Sequence, residues 1–354
     1  MKIKEFKIGS KKVGQNNPCF ISLEIGGTWT SFSDAKKLIR ESAKSGADAV
    51  KFQLFLPGET NKMIKNKDLK MNFKTSKGEK SGNIFDILQK RELTKSQWKN
   101  LVDYSHKLGV SFICTANFPE TIDFLKKIKA DAIKISKGDI NNVLLINHAA
   151  KKKLPIILDG REKISDIDKA VKICEKNHNK KILIMHCPSG YPAEAAGVHL
   201  SAISKIKSKY PYPVGYADHS QEDIMNYAAV GLGAKMLEKT ITSNKKTQEI
   251  EHLMSLEIGE LSTFVKNIRE IEEAMGDPKI LFRSRVNEET RRSLIAKETI
   301  QKGEKISSKN ITFQRPGNLG ISASEGLRIL NKKANCLIEK GTSLKPNMIK
   351  NFNK

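Results

Sequence analysis

SDAKKLIRESAKSGADAVKFQLF, residues 33–55, contains the unit on which the fold reading turns. Residues 33–46 form an amphipathic helical stretch that stops at Gly46, the residue type best suited to the left-handed turn closing a helix. The apolar run AVKFQLF (49–55) follows and reads as a strand, yet Lys51 and Gln53 stand inside it. Charge in a strand of this kind is costly unless it has a partner or a task.

The same unit recurs along the chain up to about Gly276. Strand-like runs are FISLEIG (20–26), AVKFQLF (49–55), VSFICTAN (110–117), AIKIS (132–136), PIILDG (155–160), KILIMHC (181–187), PVGYAD (213–218) and AKMLEKT (234–240). Helical stretches lie between and after them, at 96–109, 165–176 and 256–276 among others, and Gly109 and Gly233 repeat the stop seen at Gly46. Eight strands alternating with helices over about 260 residues is the count of a (β/α)8 TIM barrel. A doubly wound open sheet uses the same alternation, but no Gly-rich dinucleotide turn is present, which favours the barrel. Polar residues then cluster at or near the C-terminal strand ends: Glu24, Lys51 with Gln53, Thr115 with Asn117, Lys134, Asp159, Ser189, His219 and Glu238. In a barrel these positions ring one mouth, where active sites of this fold lie, so an enzyme is expected.

Residues 57–93 form a long polar insertion after the second strand, either a flap over the mouth or a mobile loop. Beyond Gly276 the pattern changes. The chain is read as a barrel domain over 1–278, a linker over 279–291 and a compact module of short strands and turns over 292–354.

The formal charge is +24, from 63 Lys and Arg against 39 Asp and Glu. The lysines are scattered rather than gathered in a basic block with aromatics, so solvated faces are expected and nucleic acid is not an expected partner. No apolar run reaches the length of a membrane span, and MKIKEFKIGSKKVG at the N-terminus has no apolar segment of a signal peptide. The five cysteines form no C-x-x-C pair, which argues against disulfide scaffolding and structural zinc and favours a reducing cytoplasm.

An ordered set of motifs resembles the sialic acid synthase family. The set comprises EIG (24–26), GADAVKFQ (46–53), KI-x-x-GD (134–139), PIIL (155–158), HC-x-S-x-YP (186–192), PVGY-x-DH (213–219) and GAK-x-x-EK (233–239). RRSLIA (291–296) and RPGN-x-GI (315–321) are similar to signatures of its C-terminal antifreeze-like (SAF) domain. The resemblance implies condensation of phosphoenolpyruvate with an N-acetylated amino sugar to give a nonulosonic acid, for surface polysaccharide. It places Lys51 and Lys134 on phosphoenolpyruvate, with Gln53, Thr115 and Ser189 as neighbouring donors; the alternative for the lysines is a barrel-rim role. Glu24 and Glu238 are the acid–base candidates, or else ion-pair partners of those lysines. Tyr191 is either a wall of the sugar site or a packed loop anchor. Arg315 either reaches the sugar's acyl group in the partner's barrel, implying a domain-swapped homodimer, or is a plain turn residue.

The match departs from the family in several places. GTWTSF (27–32) replaces Asn-His-Asn-Gly, and Ala217 replaces the serine before Asp-His. Lys137 replaces a serine, and DGR (159–161) replaces a Ser-Thr-Gly turn; Lys137 and Arg161 remain phosphate-binding candidates, while Asp159 repels phosphate unless paired. The family implies a Mn²⁺ or Mg²⁺ ion on two histidines. His219 matches one, but Thr240 stands where the second belongs, leaving Asp218, Glu251, His252 or water as substitutes. A catalytically impaired or regulatory paralogue, and a barrel lyase or aldolase on another phosphorylated acid, are the competing readings.

Overall fold

The computed structural model describes residues 3–14, 16–160, 163–277, 291–316 and 320–352. The chain divides into two compact units, Met1–Gly276 and Asp277–Lys354. The N-terminal unit begins with the antiparallel hairpin β1 (Phe6–Ile8) and β2 (Lys11–Val13). Barrel strands and helices then alternate: β3 (Phe20–Glu24), α1 (Phe32–Lys44) and β4 (Ala49–Gln53). An excursion through α2 (Glu59–Met63), β5 (Lys70–Thr75), β6 (Gly78–Asn83) and α3 (Ile84–Gln89) follows. The alternation resumes with α4 (Lys95–Lys107), β7 (Ser111–Thr115), α5 (Pro119–Lys127), β8 (Ala132–Ile135) and α6 (Val143–Lys151). It continues through β9 (Ile156–Gly160), α7 (Ile164–Lys176), β10 (Ile182–His186), α8 (Ser201–Lys209) and β11 (Val214–Asp218). The unit ends with α9 (Ile224–Gly231), β12 (Met236–Thr242), the short β13 (Leu256–Glu257) and α10 (Leu261–Met275).

Parallel pairing runs in the order β11-β10-β9-β8-β7-β4-β3-β12, and β12 also pairs with β11. The eight strands therefore close into a TIM barrel. β3, β4 and β7 end two residues before their apolar runs do, β12 continues two residues past its run, to Thr242, and the run at 256–276 opens with β13 before its helix. Gly46, Gly109 and Gly233 have φ of +85°, +78° and +85°, the left-handed geometry expected of them.

Strand side chains alternate between the two faces of the barrel wall. One set (Phe20, Ala49, Ile113, Ala132, Ile157, Leu183, Met185, Ala217, Met236) packs inside the barrel, where Ile8 and Val13 of the N-terminal hairpin join it. The other set, including Ile21, Val50, Phe112, Ile133, Leu158, Ile184 and Leu237, packs against the helices. This parity sorts the polar residues. Lys51 and Gln53 share the face of Ala49, and Glu238 and Thr240 share that of Met236, so all four face the barrel interior. Asp218 and Lys239 have the opposite parity. They form a fully buried ion pair of 2.7 Å beneath α9, and Asp218 also accepts hydrogen bonds from Tyr216, Ser220 and Asn226. Lys239 donates further to the Ser220 and Glu222 carbonyls, stapling the loop after β11 to β12.

The insertion is a folded flap. Phe73 is buried, the Lys74 N–H donates to the Tyr191 carbonyl at 2.9 Å, and Lys80 Nζ donates to the Gln248 carbonyl at 2.8 Å. The β5–β6 hairpin thus bridges the loops after β10 and β12.

The C-terminal unit pairs β14 (Ser293–Ala296) with β15 (Ile311–Gln314) and adds α11 (Gly326–Ile329). Leu294, Ile300, Ile306, Ile329, Ile338 and Leu344 are among its core. Residues 279–290 of the expected linker, Arg161, and Gly317, Asn318 and Leu319 of the RPGN-x-GI motif lie outside the described residues.

Candidate active site

The C-terminal ends of the strands surround a cavity of about 230 Å³. Its lining includes Glu24 of β3, Lys51 and Gln53 of β4, Thr115 of β7, Lys134 of β8, Asp159 of β9, and Glu238 and Thr240 of β12. Loop residues Asn117, Lys137, Cys187, Tyr191, His219 and Glu251 complete the polar part, while Phe55, Met63 and Leu88 supply apolar wall.

Two buried ion-pair clusters form its floor. Lys51 pairs with Glu24, and Lys134 lies 2.5 Å from Glu238 and 3.5 Å from Asp159. Glu24 also accepts the Gly26 N–H at 2.5 Å. A Cβ at Gly26 would collide with that same carboxylate oxygen and press on the Gln53 backbone nitrogen, which explains the glycine in the EIG stretch.

Four carboxyls face three lysines here, so they do not all ionise together. Burial, with the Glu238 and Glu251 charges, pushes Glu24 up to about 7 against the opposing pull of Lys51. Asp159 is raised by burial despite Lys134, and Glu251 is raised by burial despite Lys51 and Arg91. Glu238 goes the other way: burial opposes its charge, but Lys134 and Lys51 outweigh burial and hold it below the usual range. Both lysines are raised, because the carboxylates overcome burial. The environment thus separates Glu24, which exchanges its proton near neutral pH, from Glu238, which stays ionised there.

The Tyr191 and His219 rings are tilted by 32° to each other with centroids 5.0 Å apart, and Lys137 Nζ lies 5.5 Å from the centre of the Tyr191 ring. The structure therefore brings together Glu24, Lys51, Gln53, Thr115, Lys134, Lys137, Tyr191, His219 and Glu238. Ser189 departs from the expectation: it is exposed in the Pro188–Gly190 turn beyond β10, and Cys187 lines the cavity from that segment instead. Arg315 is exposed on the C-terminal unit. Strand parity had no purchase on Met63, Leu88 or Glu251, which come from the insertion and from the loop after β12.

The residues do not fit a ready-made metal centre. Among the described residues, no three of His, Cys, Asp and Glu converge as a ligand set. Asp218 is on the outer side of the barrel wall, fully engaged by Lys239 and its other donors. His252 Nδ1 is bonded to Thr242, and His252 is not part of the lining. Thr240 lines the cavity with a neutral hydroxyl.

A closed barrel whose mouth buries lysines among carboxyls of divided protonation is the site of a barrel enzyme acting on an anionic substrate. The chain belongs to the NeuB family, whose model matches residues 38–279, and a SAF domain follows at 291–350. It is 35% identical to N,N'-diacetyllegionaminic acid synthase of Campylobacter jejuni, over 85% of this chain and 90% of that one. The protein of the same name from Legionella pneumophila is 30% identical over 95% and 96%. A crystal structure of N-acetylneuraminic acid synthetase from Leptospira borgpetersenii superposes with a TM-score of 0.71 at 30% identity, covering 81% of this chain and 94% of that one.

Among the described residues no helix is long and apolar enough to cross a membrane.

Proposed function

We propose that the chain condenses phosphoenolpyruvate with an N-acetylated amino sugar, in its open-chain aldehyde form, to give a nonulosonic acid and phosphate for polysaccharide biosynthesis. The observation that carries this reading is the pair of buried lysines, Lys51 and Lys134, held on adjacent carboxyls in the barrel mouth. A dianionic phosphate and a carboxylate need such a pair of cations, and the ammonium groups share their charge between the substrate and the carboxyls of Glu24 and Glu238. Gln53 and Thr115 add neutral donors beside them.

C3 of the enol then bonds to the aldehyde carbon. The aldehyde oxygen gains charge and takes a proton, for which Glu24 is the acid. C2 becomes oxocarbenium-like and accepts a water molecule whose proton passes to ionised Glu238. The resulting tetrahedral carbon expels phosphate by C–O cleavage, leaving the 2-keto acid. Phosphoenolpyruvate, aldehyde and water are thereby converted to one 2-keto acid and one phosphate.

Family resemblance implies a divalent cation at His219, but among the described residues the cavity lining holds no second imidazole, so no step is routed through one. Thr240→His is expected to lower the Mn²⁺ dissociation constant at least about tenfold, since imidazole is a far better ligand than a hydroxyl. Titration calorimetry checks this, and an unchanged constant would place residue 240 out of reach of His219. The same reading assigns Arg315 of a partner protomer to the acyl group of the sugar, in a domain-swapped homodimer in the cytoplasm. Phosphate release from phosphoenolpyruvate, measured with a panel of N-acetylated aldoses and Mn²⁺, tests the reaction. No release above background with any acceptor would refute it.

A further inference from the structure

Arg91 is a buried arginine outside the cavity lining, in the segment that follows α3. Its guanidinium donates to the Gly27 carbonyl at 2.7 Å and to the Trp29 carbonyl. It also lies 5.1 Å from the Trp29 ring and 3.4 Å from Glu249. Trp29 itself is buried. A guanidinium is taken out of water only where several partners replace its hydration. Here the partners come from two different loops: Gly27 and Trp29 from the loop after β3, and Glu249 from the loop after β12. Neighbouring Lys90 reaches Glu249 as well, at 3.1 Å.

Two residues past Glu249, Glu251 enters the cavity with φ +71°. Its Oε2 is buried with no hydrogen-bond partner among the described residues. That oxygen lies where a side chain at position 27 would begin, because a Cβ added to Gly27 would collide with it. Glu251 therefore needs both a bare residue at 27 and the tie that keeps the two loops together. Phosphoenolpyruvate offers a carboxylate and a phosphate, which a carboxylate repels. An amino sugar offers hydroxyl and amide N–H donors, which a carboxylate accepts.

We propose that Arg91 is a positioning residue for the acceptor half of the site. By tying the loop after β3 to the loop after β12, it holds the Glu251 carboxylate toward the donor groups of the amino sugar. The role assigned to Glu251 rests on the condensing reaction proposed above; the tie between the loops does not.

Arg91→Met is the test, with Arg91→Lys and Glu249→Gln as milder variants in case the buried site does not tolerate methionine. Hydrogen exchange read by mass spectrometry is expected to rise together over residues 27–31 and 248–252, with the barrel strand 182–186 unchanged. Exchange rising only next to residue 91 would overturn the positioning role whether or not the protein turns over. In the condensation assay, KM for the acceptor is expected to rise about 10- to 100-fold, since small misplacements of positioning groups have effects of that order. KM for phosphoenolpyruvate is expected to stay within about threefold, and Arg91→Lys to recover part of the loss. In an Glu251→Gln background the further effect of Arg91→Met is expected to vanish. Equal rises in both KM values, or an undiminished effect in that background, would overturn the link to Glu251. A wild-type protein without turnover would count against the condensing reaction and the role of Glu251 in it, while the exchange measurement still decides the tie.

Discussion

Lys134→Met is expected to lower kcat/KM for phosphoenolpyruvate by about 10³-fold, the range seen when one preorganised charge-stabilising donor is removed from a buried site. The effect has two sources. One is the loss of a cation for the phosphate or carboxylate of the substrate. The other is the fate of Glu238 and Asp159, which depend on Lys134 at 2.5 and 3.5 Å and whose remaining oxygens, Oε2 and Oδ1, are buried with no hydrogen-bond partner among the described residues. Without the ammonium, burial drives Glu238 toward its neutral acid, and the ionised group that receives the proton of water is lost. Breaking a buried pair also costs about 3–5 kcal/mol of stability, so a urea titration must accompany the kinetics. A folded Lys134→Met protein with near-normal kcat/KM would remove Lys134 from the substrate site.

Glu24→Gln is expected to lower kcat by about 10²- to 10⁴-fold, the usual worth of a positioned general acid. It also carries a pH signature. The Glu24 pKa is raised to about 7, chiefly by burial, so its acid form is present below that pH and is lost above it. The wild-type rate is therefore expected to fall as pH rises through about 7. In Glu24→Gln this limb should be absent, because the amide has no proton to lose. A variant that keeps the alkaline limb would assign it to another group, and a rate that rises through pH 7 would make Glu24 the base.

Much of the site was legible from one rule, the alternation of strand side chains. Lys51 two positions after Ala49, and Lys134 two after Ala132, had to face the barrel interior once those alanines did. The same rule puts Asp218 and Lys239 on the outer layer, although each adjoins a residue lining the cavity, and so removes Asp218 from any role beside His219. Ser189 lies exposed between two lining residues, Cys187 and Tyr191, in a stretch past the end of β10 where strand alternation no longer applies. The insertion showed no period because its β5–β6 hairpin is exposed along most of its length and is held by contacts to distant loops. Arg91 was invisible for the same reason: its partners lie 62, 64 and 158 positions away in the chain.

Carbon–carbon condensation is tested most directly by incubating the protein with phosphoenolpyruvate and N-acetylated aldoses while following phosphate and product mass together. The expected result is one phosphate released per product molecule, with a product mass equal to the acceptor plus one pyruvic acid and no release without acceptor. Phosphate release that does not depend on an acceptor, or none with any acceptor, would contradict it.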